Sequence, residues 1–195
     1  MPFYFIIFLA ILASALLLYV SAVAYVAILR RPPKTIISGF LAEAFQVAGV
    51  ALLWFSVGVC WLLFFNVYCI HVDMSALSDA AFQAFARGYT KRLPIVVLPY
   101  GVTCLLWTLA LWSAPGRISR RAIWGIATLC ILSIASTPWA AGALDSMHDH
   151  GYTPEAYLQL RTAHLIRTLA LTFAAVWALA QNWRLPEPSV PAQKS

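Results

Sequence analysis

Four histidines, His71, His148, His150 and His164, carry most of the chemistry this sequence could support. Asp73, Asp145, Asp149 and Glu155 fall in the same stretches, so imidazole and carboxylate groups suited to zinc or copper are available together. The densest run is Asp145-Ser146-Met147-His148-Asp149-His150, which makes His71, His148 and His150 the candidate ligands of a divalent metal. The same run also reads as a solvated acidic loop, because a His-x-His pair is not a diagnostic ligand spacing. Haem is a second option, with His71 and His164 as two facing axial imidazoles.

A different constellation opens the last apolar segment. Arg161, His164 and Arg167 follow at helical spacing and share one face. An arginine at the middle of a membrane helix costs about 2.5–3.5 kcal/mol on insertion scales, so it should turn inward to an anion. Asp73 and Asp145 are the expected partners, and the alternative is that both arginines snorkel to the headgroups. The cysteines, Cys60, Cys69, Cys104 and Cys130, lie in apolar runs without a CxxC pair and read as small buried hydrophobes. No nucleophile stands beside an evident base, so a catalytic residue cannot be named.

The elements that hold these residues follow from composition. The chain is 62% hydrophobic and only 10% charged, against about 45–50% and 25% for soluble domains. Its long apolar runs need lipid around them, and in lipid the backbone must satisfy itself as helix. The expected fold is an all-α integral membrane bundle of about five transmembrane helices, at 3–29, 45–70, 94–114, 122–144 and 163–183. Residues Ile36 to Ala44 are expected along the interface. The loop from His71 to Leu93 is expected to be helical, with Leu77, Phe82, Phe85 and Tyr89 forming a stripe that rests on the outer membrane surface. Pro94 and Pro99 should bend the third span, and Ser133, Ser136, Thr137 and Pro138 should make a polar kink in the fourth. Asn66 adds to the polar groups of the second. The proline-rich tail 185–195 has too little apolar content to pack and is expected to be a disordered cytoplasmic end.

The net charge of +6 reads as topology. Arg30, Arg31 and Lys34, then Arg117, Arg120 and Arg121, then Arg184 and Lys194 fall on alternate connections, which sets the N-terminus outside and the C-terminus in the cytoplasm. No zinc-finger, Walker or dinucleotide-fingerprint spacing occurs, so nucleic acid is not an expected partner. The lipid bilayer and other membrane subunits are. A transporter would call for inverted repeats, which the sequence lacks.

From Gly49 to Ala180 the order of motifs resembles small bacterial four-helix membrane proteins related to anthrone oxygenases. The carrying residues are Phe82, Phe85, Lys91, Arg92, Val96, Val97 and Pro99, then Ser136, Thr137, Gly151 and Tyr152, and the run from His164 to Thr168, which resembles an Asn-Trp-x-Arg-Thr signature. The resemblance implies an oxygenase-like membrane enzyme acting on a lipophilic aromatic substrate. Departures point the other way: the family's histidines are replaced by Ala86, Tyr89 and Asp145, its Asn by His164, and an N-terminal helix is added. A diverged, non-catalytic bacterial inner-membrane protein is the leading expectation, acting as an accessory subunit or as a small-molecule-binding bundle with an outer-facing polar site.

Overall fold

The computed structural model describes residues 3–182 except 115 and 117, and at 94 and 182 the backbone only. Arg117, Trp183, Arg184, Lys194 and the tail 185–195 discussed above lie outside the described residues. The chain folds as an all-α membrane bundle. Six helices follow in order: α1 (Phe3–Leu29), α2 (Gly39–Ala76), α3 (Asp79–Ala110), α4 (Arg120–Ala135), α5 (Thr137–His150) and α6 (Pro154–Asn182). Four helical stretches are long and apolar enough to cross a membrane, and the bent α3 makes a fifth.

The helices outrun the bilayer. At 1.5 Å per residue, the 38 residues of α2 extend about 57 Å and the 32 of α3 about 48 Å, against roughly 30 Å of hydrocarbon. At one end the turns are tied together: Ile36 and Ile37 donate to the Trp112 carbonyl, and Ala114 donates to Ile37. This basic end carries Arg30, Arg31, Lys34, Arg120 and Arg121. The excess length gathers at the other, distal end.

Two hydrophobic cores result. The first joins Phe8, Leu12, Leu53, Tyr100, Trp107, Ile126 and Leu171 towards the basic end. Gly125 lets the Trp177 ring lie against α4, where a Cβ would fall inside that ring. The second core joins Tyr68, Phe82, Ala86, Leu144, Met147 and Leu160 from α2, α3, α5 and α6, without α1. α1 packs instead against α3 and, more lightly, α4.

Between the cores, three helices are interrupted at similar depth. In α2 a π-helical turn occupies Leu63–Val67. In α3 the segments Asp79–Leu93 and Ile95–Ala110 meet at 42°, at a proline that has no N–H for the preceding turn. Between α4 and α5 the Ile134 carbonyl, which Pro138 cannot serve, accepts the Ser136 N–H, while the Ser133 and Ser136 hydroxyls donate back to Cys130 and Ser133.

Several sequence expectations are corrected here. The interfacial segment 36–44 is instead a tied turn followed by the first residues of α2. The supposed surface loop 71–93 is the end of α2 and the first half of α3, and Phe82, Phe85 and Tyr89 turn inward while Leu77 alone of that stripe is exposed. α6 begins at Pro154 rather than at 163, so His164 lies within the helix and not at its start. Cys69 is exposed, unlike the other three cysteines.

Candidate functional site

The polar residues of the bundle converge on the layer between the two cores. Counted along α6 from Gln181, Arg167, His164 and Arg161 stand about 21, 26 and 30 Å from the basic end. Ser119 donates to Gln181 across that end, which fixes the starting level.

His164 is fully buried and both of its ring nitrogens are engaged. Nε2 lies 2.8 Å from the Cys60 carbonyl, and Nδ1 lies 3.4 Å from the Tyr68 hydroxyl. A carbonyl only accepts, so Nε2 carries the proton, Tyr68 donates to Nδ1, and the ring is neutral. The Cys60 carbonyl stands three residues before the π turn and also accepts the Leu63 N–H, so His164 brings it a second donor. The Thr168 hydroxyl bonds back to the His164 carbonyl and Thr172 to Thr168, so these polar side chains burden no neighbour.

Arg167 is only 8% exposed. Its guanidinium lies 5.3 Å from the centre of the Tyr100 ring and donates to the Thr137 hydroxyl at 3.1 Å. Its Nε meets no hydrogen-bond partner. Tyr100 in turn shares a hydrogen bond with Ser133 at 3.0 Å. Arg161, one and a half turns earlier, lies over Phe64 at 4.9 Å. Among the described residues neither arginine has a carboxylate within ion-pairing distance, so the expected pairing with Asp73 or Asp145 is not made. Both aspartates are exposed, and Asp145 lies 3.7 Å from His148 on its own helix.

The proposed metal ligands are not brought together. His71 is buried against Tyr68, Tyr89, Phe82 and Phe85, with neither ring nitrogen in a full hydrogen bond and the Val67 backbone as its nearest polar neighbour. His148 meets Thr90 at 2.9 Å, and the exposed His150 meets the Ser146 carbonyl of its own helix. Among the described residues, no group of three or more His, Cys, Asp or Glu side chains has the geometry of a metal site. The bis-histidine haem arrangement does not fit either. Tyr68 contacts both rings, at 5.9 Å from His71 and 4.8 Å from His164, and fills the space a macrocycle would need.

A cavity of about 550 Å³ opens on the flank of this layer, between α2 and α3. Val59, Leu62, Leu63 and Val67 form one wall, and Ala84, Phe85, Gly88, Tyr89, Arg92, Leu93 and Val96 the other. The π turn and the bend of α3 both border it. Its volume is within the roughly 300–1,000 Å³ of small-molecule sites. Tyr89 belongs to the groove on one side and to the polar cluster on the other: its ring touches His71 at 5.0 Å and Tyr68 at 6.4 Å, and its hydroxyl is buried without a full hydrogen bond.

Sequence reasoning named Arg161, His164 and Arg167 but missed Tyr68, Tyr100 and the Cys60 carbonyl. The available signal was a tyrosine interrupting an apolar run at positions 68 and 100, since a buried tyrosine hydroxyl needs a partner. Comparison with models of known families, with curated proteins and with solved structures gave no match.

Proposed function

We propose that this chain is a non-enzymatic bacterial inner-membrane protein that binds a small lipophilic molecule at an outer-facing polar site, entered sideways from the bilayer through the groove between α2 and α3. The observation that carries this reading is one juxtaposition. An apolar groove between α2 and α3 has Tyr89 in its wall, and the Tyr89 ring touches Tyr68 in a buried layer whose arginine, Arg167, has no carboxylate partner among the described residues. A site with apolar walls and a few fixed polar groups is what small-ligand binding requires. The polar layer otherwise represents an unrecovered desolvation cost.

Gly88 supplies the test. A Cβ added there meets nothing within 4 Å, so Gly88→Phe should project into the groove while the bundle folds normally. Native mass spectrometry of protein gently extracted from its own membrane is expected to show a small lipophilic adduct that Gly88→Phe loses. An adduct unchanged in the variant overturns the groove as its site. Companion subunits with no small ligand would replace the reading with an accessory role.

The same proposal sets the orientation, with the basic end cytoplasmic and the N-terminus outside. Alkaline phosphatase fused after Ser195 is expected to be inactive, and green fluorescent protein at that position to fluoresce. The reverse pair of results would invert the topology and put the site on the cytoplasmic side.

A further inference from the structure

We infer that the molecule in the groove is a single-chain carboxylate, with its alkyl tail against the walls of α2 and α3 and its acid on Arg92; this rests on the ligand-binding reading above. Among the described residues Arg92 is the one charged residue lining an otherwise apolar groove. The other arginines around it are committed. Arg87 donates to the His148 carbonyl at 3.0 Å, Arg161 lies over Phe64, and Arg167 lies over Tyr100. Among the described residues Arg92 has neither a hydrogen-bond nor an ion-pair partner.

Its depth suits the head of an amphiphile. Arg92 lies eighteen residues from Ala110, the last residue of α3, or about 27 Å along the axis, near the edge of roughly 30 Å of hydrocarbon. Leu93 and Val96 continue the apolar wall towards the basic end, and Gly88 and Phe85 continue it distally. Tyr89, three residues before Arg92, lines the same groove with its ring, while its hydroxyl is buried beside Tyr68. A guanidinium binds a carboxylate through two parallel N–H···O bonds. No acidic side chain lines the groove to oppose the charge. A cavity of about 550 Å³ suits one drug-sized body and is too small for the two chains of a phospholipid.

The test uses the full chain in a neutral maltoside detergent. Binding is read as quenching of tryptophan fluorescence by a bromine-substituted hexadecanoate. Straight-chain acids from decanoate to hexadecanoate, the matching primary alcohols, and phosphatidylglycerol serve as competitors. Acids are expected to bind at least about tenfold tighter than alcohols of equal length, from the strength of a charged hydrogen bond. Affinity should rise about fourfold per methylene until the groove is full. Arg92→Gln should erase the acid preference and leave alcohol affinity within about twofold. Equal binding of acid and alcohol by the wild type, an acid preference that survives Arg92→Gln, or tighter competition by phosphatidylglycerol each overturns the inference. Gly88→Phe separates the two levels. If it abolishes binding of acids and alcohols that the wild type does not distinguish, only the carboxylate is wrong; if it leaves all binding intact, the groove itself is.

Discussion

Replacing Arg167 by methionine is expected to stabilise the protein. The guanidinium is almost fully buried, rests on Tyr100, donates to one hydroxyl and leaves Nε unsatisfied. Burying an ion costs several kcal/mol even after relaxation, and an orphaned donor adds about 1–3 kcal/mol. Against this stand a cation–π contact of up to about 2 kcal/mol and one charged hydrogen bond of about 1.5–3 kcal/mol. Methionine is apolar, unbranched and of similar length, and replacing buried charge by apolar groups commonly gains about 1–4 kcal/mol. Thermal unfolding followed by tryptophan fluorescence should therefore shift upward by several degrees, at about 2–4 °C per kcal/mol for a chain of this size. A lower unfolding temperature would show that Arg167 is a structural keystone and would remove the argument that its cost is kept for binding.

The opposite sign is expected at His164. His164→Leu removes the second donor of the Cys60 carbonyl, which keeps the Leu63 N–H, and strands the buried Tyr68 hydroxyl that His164 Nδ1 accepts from. One buried hydroxyl left without its acceptor costs about 1–3 kcal/mol, a sizeable fraction of the margin of an ordinary domain. His164→Gln keeps an N–H donor within reach of the carbonyl and should recover about half of the loss. Tyr68→Phe removes one donor while leaving the ring in place, and should cost about 0.5–1.5 kcal/mol. If leucine, glutamine and wild type unfolded alike, the bridge between α6 and α2 would be contributing nothing, which would falsify the account of why His164 is buried there.

The membrane bundle was legible in the sequence because hydropathy reports what lipid requires: five apolar runs of spanning length, each of which is mostly helix among the described residues. The distal core was not, because helices that leave the hydrocarbon no longer need apolar residues on every side. Arg87, Lys91 and Arg92 therefore looked like the end of a span, although α3 passes through them without interruption. Glu155, Gln159 and Arg161 hid the first turns of α6 in the same way. Face assignment along α6 was sound, since Arg161, His164 and Arg167 do point into one layer. Their partners were misread because unlike charges attract on paper, whereas here two arginines rest on aromatic faces and the aspartates stay in water. Proline and serine gave the break near residue 136 correctly, since a missing N–H is visible in the sequence. No residue type announces a π turn, so the meeting of His164 with the Cys60 carbonyl could not have been foreseen.

That turn has an angular consequence. A π turn holds one residue more than the α-helix around it, and one residue is about 100° of rotation. Everything after Val67 is therefore dialled round the α2 axis by that amount relative to an uninterrupted helix, and it is this phase that brings Tyr68 beneath His164 and His71 into the aromatic cluster. Deleting Phe65 alone would keep every other side chain of the site in the protein and still disassemble it, by pointing Tyr68 and His71 away from their partners.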